Sequence, residues 1–380
     1  MFLQNDNPTA EVHVPSIPRD QYSSPSRAGY DPLAAHRQDD DPEVDVFLTG
    51  TVFFDIIFIG LEGSPRPGTE VWAEGMGSAP GGVANLAVAC SRLGLRTGLA
   101  AAFGEDLYGD YCRQTLGVQE GVDLTYSRYV TGWHSPVTVS VVYERDRTMI
   151  SHGHTPEVQS RLIRQPPAAR ATFIDLSAER QPWVDAIIET GGMVFADVGW
   201  DPEDRWDLKQ LEASLRGCYA FSPNAVEAMS YTRTDTPEDA VQVLSELVPL
   251  AVVTCGADGA LAYDRATGQT VHAPAIPVEA MDPTGAGDVF LAGLMLGTAA
   301  AWPLEHSLRL ANLAAALSVR HFGGALAAPG WGDIAAWWNE NGSKDPALAD
   351  SYAFLDDILP GYEVPEVSRA IATLGFRTRW

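Results

Sequence analysis

The sequence predicts an α/β fold built on a mostly parallel sheet. Two observations predict it. From Ala171 onwards, short apolar runs alternate with helical stretches, an order that demands crossover connections between parallel strands. The stretch Asp282-Pro283-Thr284-Gly285-Ala286-Gly287-Asp288 then places a turn of small residues before an apolar helix that starts at Val289. A glycine turn opening a helix directs unpaired backbone N–H groups at an anion.

Length and composition set the outer limits. A chain of 380 residues suits one large domain with a small lobe, or two domains, and 46% hydrophobic residues can supply a large core. The 25 basic and 50 acidic residues leave a net charge of −25, which argues against nucleic-acid partners and anionic membrane surfaces. Any attraction for a nucleotide must come from a local site. The four cysteines, Cys90, Cys112, Cys218 and Cys255, form no C-x-x-C pair, and the N-terminus has no signal-peptide pattern. Reduced thiols and a cytoplasmic location are the expectation. The apolar run 289–304 is short for a bilayer span and contains Gly293, Gly297 and Pro303, so it reads as a core helix.

Taken in order, residues 1–43 are rich in Pro, Ser and Asp and read as a disordered tail. Residues 44–59 read as one buried first strand. Asp55 interrupts it, and a charge inside an apolar strand is costly unless it is paired or belongs to a site. Residues 60–80 are a Gly- and Pro-rich connector with short apolar pieces. Gly81-Gly82 then opens a helix carrying Ala84, Ala87, Val88, Cys90 and Leu93, and Asn85 can donate and accept toward a polyol. Residues 97–103 are a short strand; 136–142 and 148–150 are hairpin partners across residues 144–147. His134, His152 and His154 lie around that hairpin without a third ligand at metal spacing.

Strands follow at 172–176, 193–197, 218–221 and 250–254. Helices follow at 183–189, 207–215 and 237–247, with a further helix starting at 224–229. Asp197–Asp201 falls after a strand, where open α/β sheets bind ligands. Residues 260–264 and 269–273 form a hairpin, and helices occupy 289–300 and 304–320. Gly75–Pro80 is not a dinucleotide fingerprint, because Pro80 holds the third glycine position. Past Trp338 the character changes. Phe354, Leu355, Ile358 and Leu359 at helical spacing form an amphipathic segment that packs on its own domain or on a second subunit.

Three motifs carry a family resemblance. Asp282–Asp288 resembles the second signature of the ribokinase-like (PfkB) carbohydrate kinases. Gly81-Gly82-Val83-Ala84-Asn85 resembles the first, and Asn224-Ala225-Val226-Glu227 resembles the family's Asn-x-x-Glu motif. They occur in the family's order, and the resemblance spans residues 45–335. It implies a doubly wound sheet with helices on both faces and a small β-strand lid from residues 60–80 and 133–151. The kinase domain would be 44–338, with 339–380 as a C-terminal extension. The implied reaction is γ-phosphoryl transfer from ATP to a sugar or polyol hydroxyl. Asp288 would be the base, and the N–H groups of Gly285, Ala286 and Gly287 the anion hole. Asp55, Gly81, Gly82 and Asn85 would hold the substrate.

The resemblance also places Asn224, Thr254, Gly256, Gly259 and Asn312 at the nucleotide. Asn224 and Glu227 would organise Mg2+ through water, and Asp282 and Thr284 would flank a monovalent cation such as K+. Two departures blur the substrate. Ribokinases carry Asn where this chain has Phe53, and Lys where it has Val83. Nucleoside kinases of the same fold, a sensor without turnover and a cysteine hydrolase at Cys255 are the alternatives, and a homodimer is open.

Overall fold

Apolar runs of five or six residues with no polar face are strands buried on both sides. In the computed structural model, which describes residues 29–367 and 374–376 apart from 144, 145, 155, 157–162, 164, 178, 179, 200 and 202, they form an eight-stranded sheet. Its strands are β1 (Val44–Thr49), β4 (Thr97–Ala100), β9 (Ala169–Asp175), β10 (Met193–Asp197), β11 (Ala220–Phe221), β12 (Leu250–Thr254), β13 (Ala260–Asp264) and β14 (Gln269–Ala273). The order is β14-β13-β12-β11-β10-β9-β1-β4. All pairs from β12 to β4 are parallel, and the β13–β14 hairpin adds an antiparallel edge.

Alternate side chains feed two apolar layers. Val46, Leu48, Leu250 and Val252 join the layer of α1 (Val83–Arg92), α7 (Ala286–Ala299), α8 (Leu304–Ser318) and α9 (Trp331–Asn341). Phe47, Ala251 and Val253 join the layer of α3 (Pro182–Glu189), α4 (Leu208–Ser214), α5 (Ala225–Thr232) and α6 (Pro237–Ser245). The sheet is thus doubly wound. Chain order reverses at β1, with β4 on one side and β9 on the other. Ligands of open α/β sheets bind outside the carboxyl ends of the strands at such a switch point.

A second sheet forms the lid, in the order β15-β3-β2-β7-β8. It contains β2 (Val52–Leu61), β3 (Ala73–Gly82), β7 (Val137–Tyr143), β8 (Asp146–His152) and β15 (Leu374–Phe376). The apolar run 44–59 is therefore two strands, not one. It breaks at Gly50-Thr51, and Asp55 lies in the lid, opposite Ala79 of β3 and Thr138 of β7. Periodicity cannot see such a break, because both halves are apolar. Residues 97–103 likewise divide, into β4 and β5 (Ala102–Gly104). The latter pairs with β6 (Arg128–Val130), beside α2 (Leu107–Arg113).

The N-terminal expectation needs correction. Residues 1–28 lie outside the described residues, but 29–43 are docked rather than free. Leu33 is fully buried, Tyr30 meets Trp331 edge-on at 5.2 Å, and Arg37 bridges Asp31 and the buried Asp45. The described part of the C-terminal extension packs on its own domain. It forms α10 (Pro346–Tyr352) and α11 (Leu355–Ile358), Phe354 stacks on His306 at 4.4 Å, and the Trp338 indole donates to Asp356. No helix among the described residues is long and apolar enough to cross a membrane.

Candidate active site

The small residues at 283–286 make a β-turn, closed by the Ala286 N–H donating to the Pro283 carbonyl at 3.2 Å. Gly285 occupies its third position at φ 77° and ψ 4°, type II values that a side chain disfavours. α7 starts on this turn, and Asp288 stands in its first turn. The turn is tied down from behind. Asp282, buried, accepts from the N–H groups of Thr284 (3.0 Å) and Gly323 (3.3 Å), while its own N–H donates to Val319. Of the three N–H groups expected to face an anion, that of Ala286 is therefore used by the turn itself.

Asn85, in the first turn of α1, reaches across to this turn. Its Nδ2 donates to Asp288 Oδ2 at 3.1 Å. A Cβ on Gly285 would lie 3.2 Å from the Asn85 side chain, and one on Gly324 would lie 3.3 Å from its Oδ1. Burial pushes the Asp288 carboxyl up to about 6, against the lowering effect of the Asn85 hydrogen bond. Asp197, at the end of β10, is raised well above the carboxylate range, first by burial and then by Glu227, Asp288 and Asp175. Asp175 pairs with it in register at the end of β9. Asp288, Asp197, Asp175 and Glu227 therefore share one electrostatic neighbourhood at the carboxyl edge of the sheet.

Gly81 is fixed by contact rather than by dihedral preference. A Cβ there would stand 2.0 Å from an Asp55 carboxylate oxygen, so only glycine lets Asp55 lie against the β3 backbone. Phe53 lies against Gly82, where a Cβ would meet its ring at 3.0 Å.

Asn224 and Glu227 form a capping box at the start of α5. Asn224 Oδ1 accepts from the Glu227 N–H and Glu227 Oε2 accepts from the Asn224 N–H, both at 3.0 Å. Thr254, at the end of β12, bridges to Asn224. Gly256 and Gly259 flank a single helical turn closed by the Cys255 N–H donating to the Gly259 carbonyl at 2.7 Å. Asn312 is buried rather than solvent-facing. Its amide donates to the carbonyls of Ala273 (2.7 Å) and Pro274 (3.3 Å), which braces the segment behind Gly259.

All four cysteines are free, and burial raises the Cys255 thiol, which disfavours the thiolate a hydrolase would need. His134, His152 and His154 are exposed. Among the described residues, no group of three or more His, Cys, Asp or Glu could hold a metal.

Sequence reasoning missed Arg92 and Gly324. Arg92, buried, pairs with Glu120 and donates to the carbonyls of Leu326 and Ala328, which holds the 324–328 turn against α1 and hence Gly324 beside Asn85. Asp175 was also missed, although its signal was present: two apolar runs, 171–175 and 193–197, both end in Asp.

The doubly wound sheet with its smaller second sheet is a fold shared with solved ribokinases. The Arabidopsis thaliana ribokinase complexed with ribose and ATP matches with a TM-score of 0.62 at 23% identity, over 76% of this chain and 96% of that one. The chain belongs to the pfkB family of carbohydrate kinases, which it matches over residues 48–330. It is thus a phosphotransferase with an alcohol group as acceptor. A fructokinase of Klebsiella pneumoniae is 34% identical over 284 residues, covering 68% of this chain and 88% of the relative. A nucleoside kinase of Methanothermobacter thermautotrophicus is 28% identical over 316 residues, covering 80% and 98%.

Proposed function

We infer that the chain transfers the γ-phosphoryl group of ATP to a hydroxyl of a furanose or hexose sugar, with Asp288 as the base. The observation that carries this reading is the placement of Asp288. It stands in the first turn of α7, behind the Gly285 turn, with its carboxyl pushed up to about 6. That value makes it a proton acceptor near neutral pH. It accepts the hydroxyl proton as the oxygen attacks phosphorus, and the N–H groups of Gly285 and Gly287 meet the charge of the transferring group. Asp55, lying against Gly81 in the lid, orients the acceptor. Phe53 and Val83, apolar where ribokinases carry Asn and Lys, favour an acceptor other than free ribose.

Mg2+ would supply charge neutralisation on the phosphates. The Asn224–Glu227 box takes one carboxylate oxygen and leaves the second outside it, which fits contact through water better than an all-protein cage. A nucleoside acceptor is the second reading, supported by the nucleoside kinase relative.

The test is kcat/KM with ATP across fructose, ribose, a sugar acid and adenosine. We expect a sugar other than ribose to lead. Adenosine in the lead would select the second reading, and no transfer to any acceptor would count against both.

A further inference from the structure

Asn85 does more than face the acceptor. We propose that it is a positioning residue for the base: its amide clamps the Asp288 carboxylate in one orientation and links it to the lid. This rests on the reading of Asp288 above.

Three observations carry it. The Asn85 Nδ2 donates directly to Asp288 Oδ2. The Asn85 Oδ1 is buried and has no hydrogen-bond partner. Turned over, the amide would leave an N–H group unpaired there in place of the carbonyl, so the unpaired position does not by itself choose the orientation. Turning it would aim Oδ1 at the carboxylate, oxygen against oxygen. The observed orientation is the one that an ionised Asp288 selects, and in return it holds Oδ2 and leaves Oδ1 of Asp288 to take the proton. Lastly, Asn85 is three residues past Gly82, where lid strand β3 passes into α1 without a loop. Gly285 and Gly324 close around its side chain from the α7 turn and the 324–327 turn. A displacement of the lid strand therefore acts on the base through one amide.

The other groups facing Asp288 do not replace this donor. Cys90 on α1 is a thiol held protonated by burial and by Asp288 itself. Asp197 on β10, its proton affinity raised by burial, has its Oδ1 taken by the Val198 N–H. Removing the Asn85 donor should therefore raise the pH at which Asp288 gains its proton.

The experiment uses the full-length protein labelled with 13C at aspartate carboxyls, without nucleotide or acceptor. The Asp288 resonance is assigned by its loss in Asp288→Asn. Its titration midpoint should rise by about one pH unit in Asn85→Ala, since a hydrogen bond to a charged group is of that order. It should rise by a similar amount in Asn85→Leu, which keeps the side-chain volume and lacks the donor if the alanine variant does not fold. In turnover with the best acceptor of the panel, the acidic limb of kcat should move up in parallel, and kcat should fall by more than the acceptor KM rises. An unchanged Asp288 midpoint with only a raised acceptor KM would overturn the proposal, leaving Asn85 a plain acceptor contact. The titration needs no turnover, so it reports on Asn85 even if the sugar-kinase reading fails.

Discussion

At the scale of single residues, the candidate site holds a few carboxylates whose environments differ. Asp282 accepts two backbone N–H groups and acts as a tie; Asp288 accepts one amide, is buried, and has its proton affinity raised. The sign for activity follows directly. A base must be unprotonated, so kcat should be full above about pH 7 and fall as pH drops through about 6. A kcat profile from pH 5 to 8 checks this, and a flat profile would remove Asp288 from the rate-limiting proton transfer. The spacing of Asp288, Asn85 and the glycines marks them as candidates in the sequence, because it survives without the fold. The bond between Asn85 and Asp288 was not legible, since it joins residues 203 positions apart. Nor was the box at Asn224, whose cap geometry fits the same residues that were assigned to metal.

At the scale of elements, most helices and strands of the parallel sheet were readable to within a residue or two. β12, β13 and β14 lie at the positions that their apolar patterns predict. The errors fell where pattern is silent. One apolar run hid the break between a core strand and a lid strand. A Pro- and Asp-rich stretch hid a docked strap, because its anchors are isolated residues with no period. That strap is testable. Leu33 is fully buried in the layer of α1 and α9, so Leu33→Ala should lower stability by about 2–5 kcal/mol. Denaturant unfolding measures it, and a loss below about 0.5 kcal/mol would show that the strap adds nothing to the core.

At the scale of the whole molecule, the switch point between β1 and β9 gathers what the chain keeps apart. The lid carries Asp55 and passes into α1 and Asn85. α7 brings the Gly285 turn and Asp288, and β9 and β10 end in Asp175 and Asp197. The chain's net negative charge makes this local geometry the more necessary, since the global field repels ATP. The most direct test of the account is turnover by Asp288→Asn with the preferred acceptor, measured beside binding of a non-hydrolysable ATP analogue. The change keeps the shape and leaves the Gly285 turn untouched. We predict that kcat falls by roughly 10²–10⁴-fold while analogue binding stays within a factor of about three. Turnover close to wild type would contradict the account, because a phosphoryl transfer that proceeds without this carboxylate has its base elsewhere.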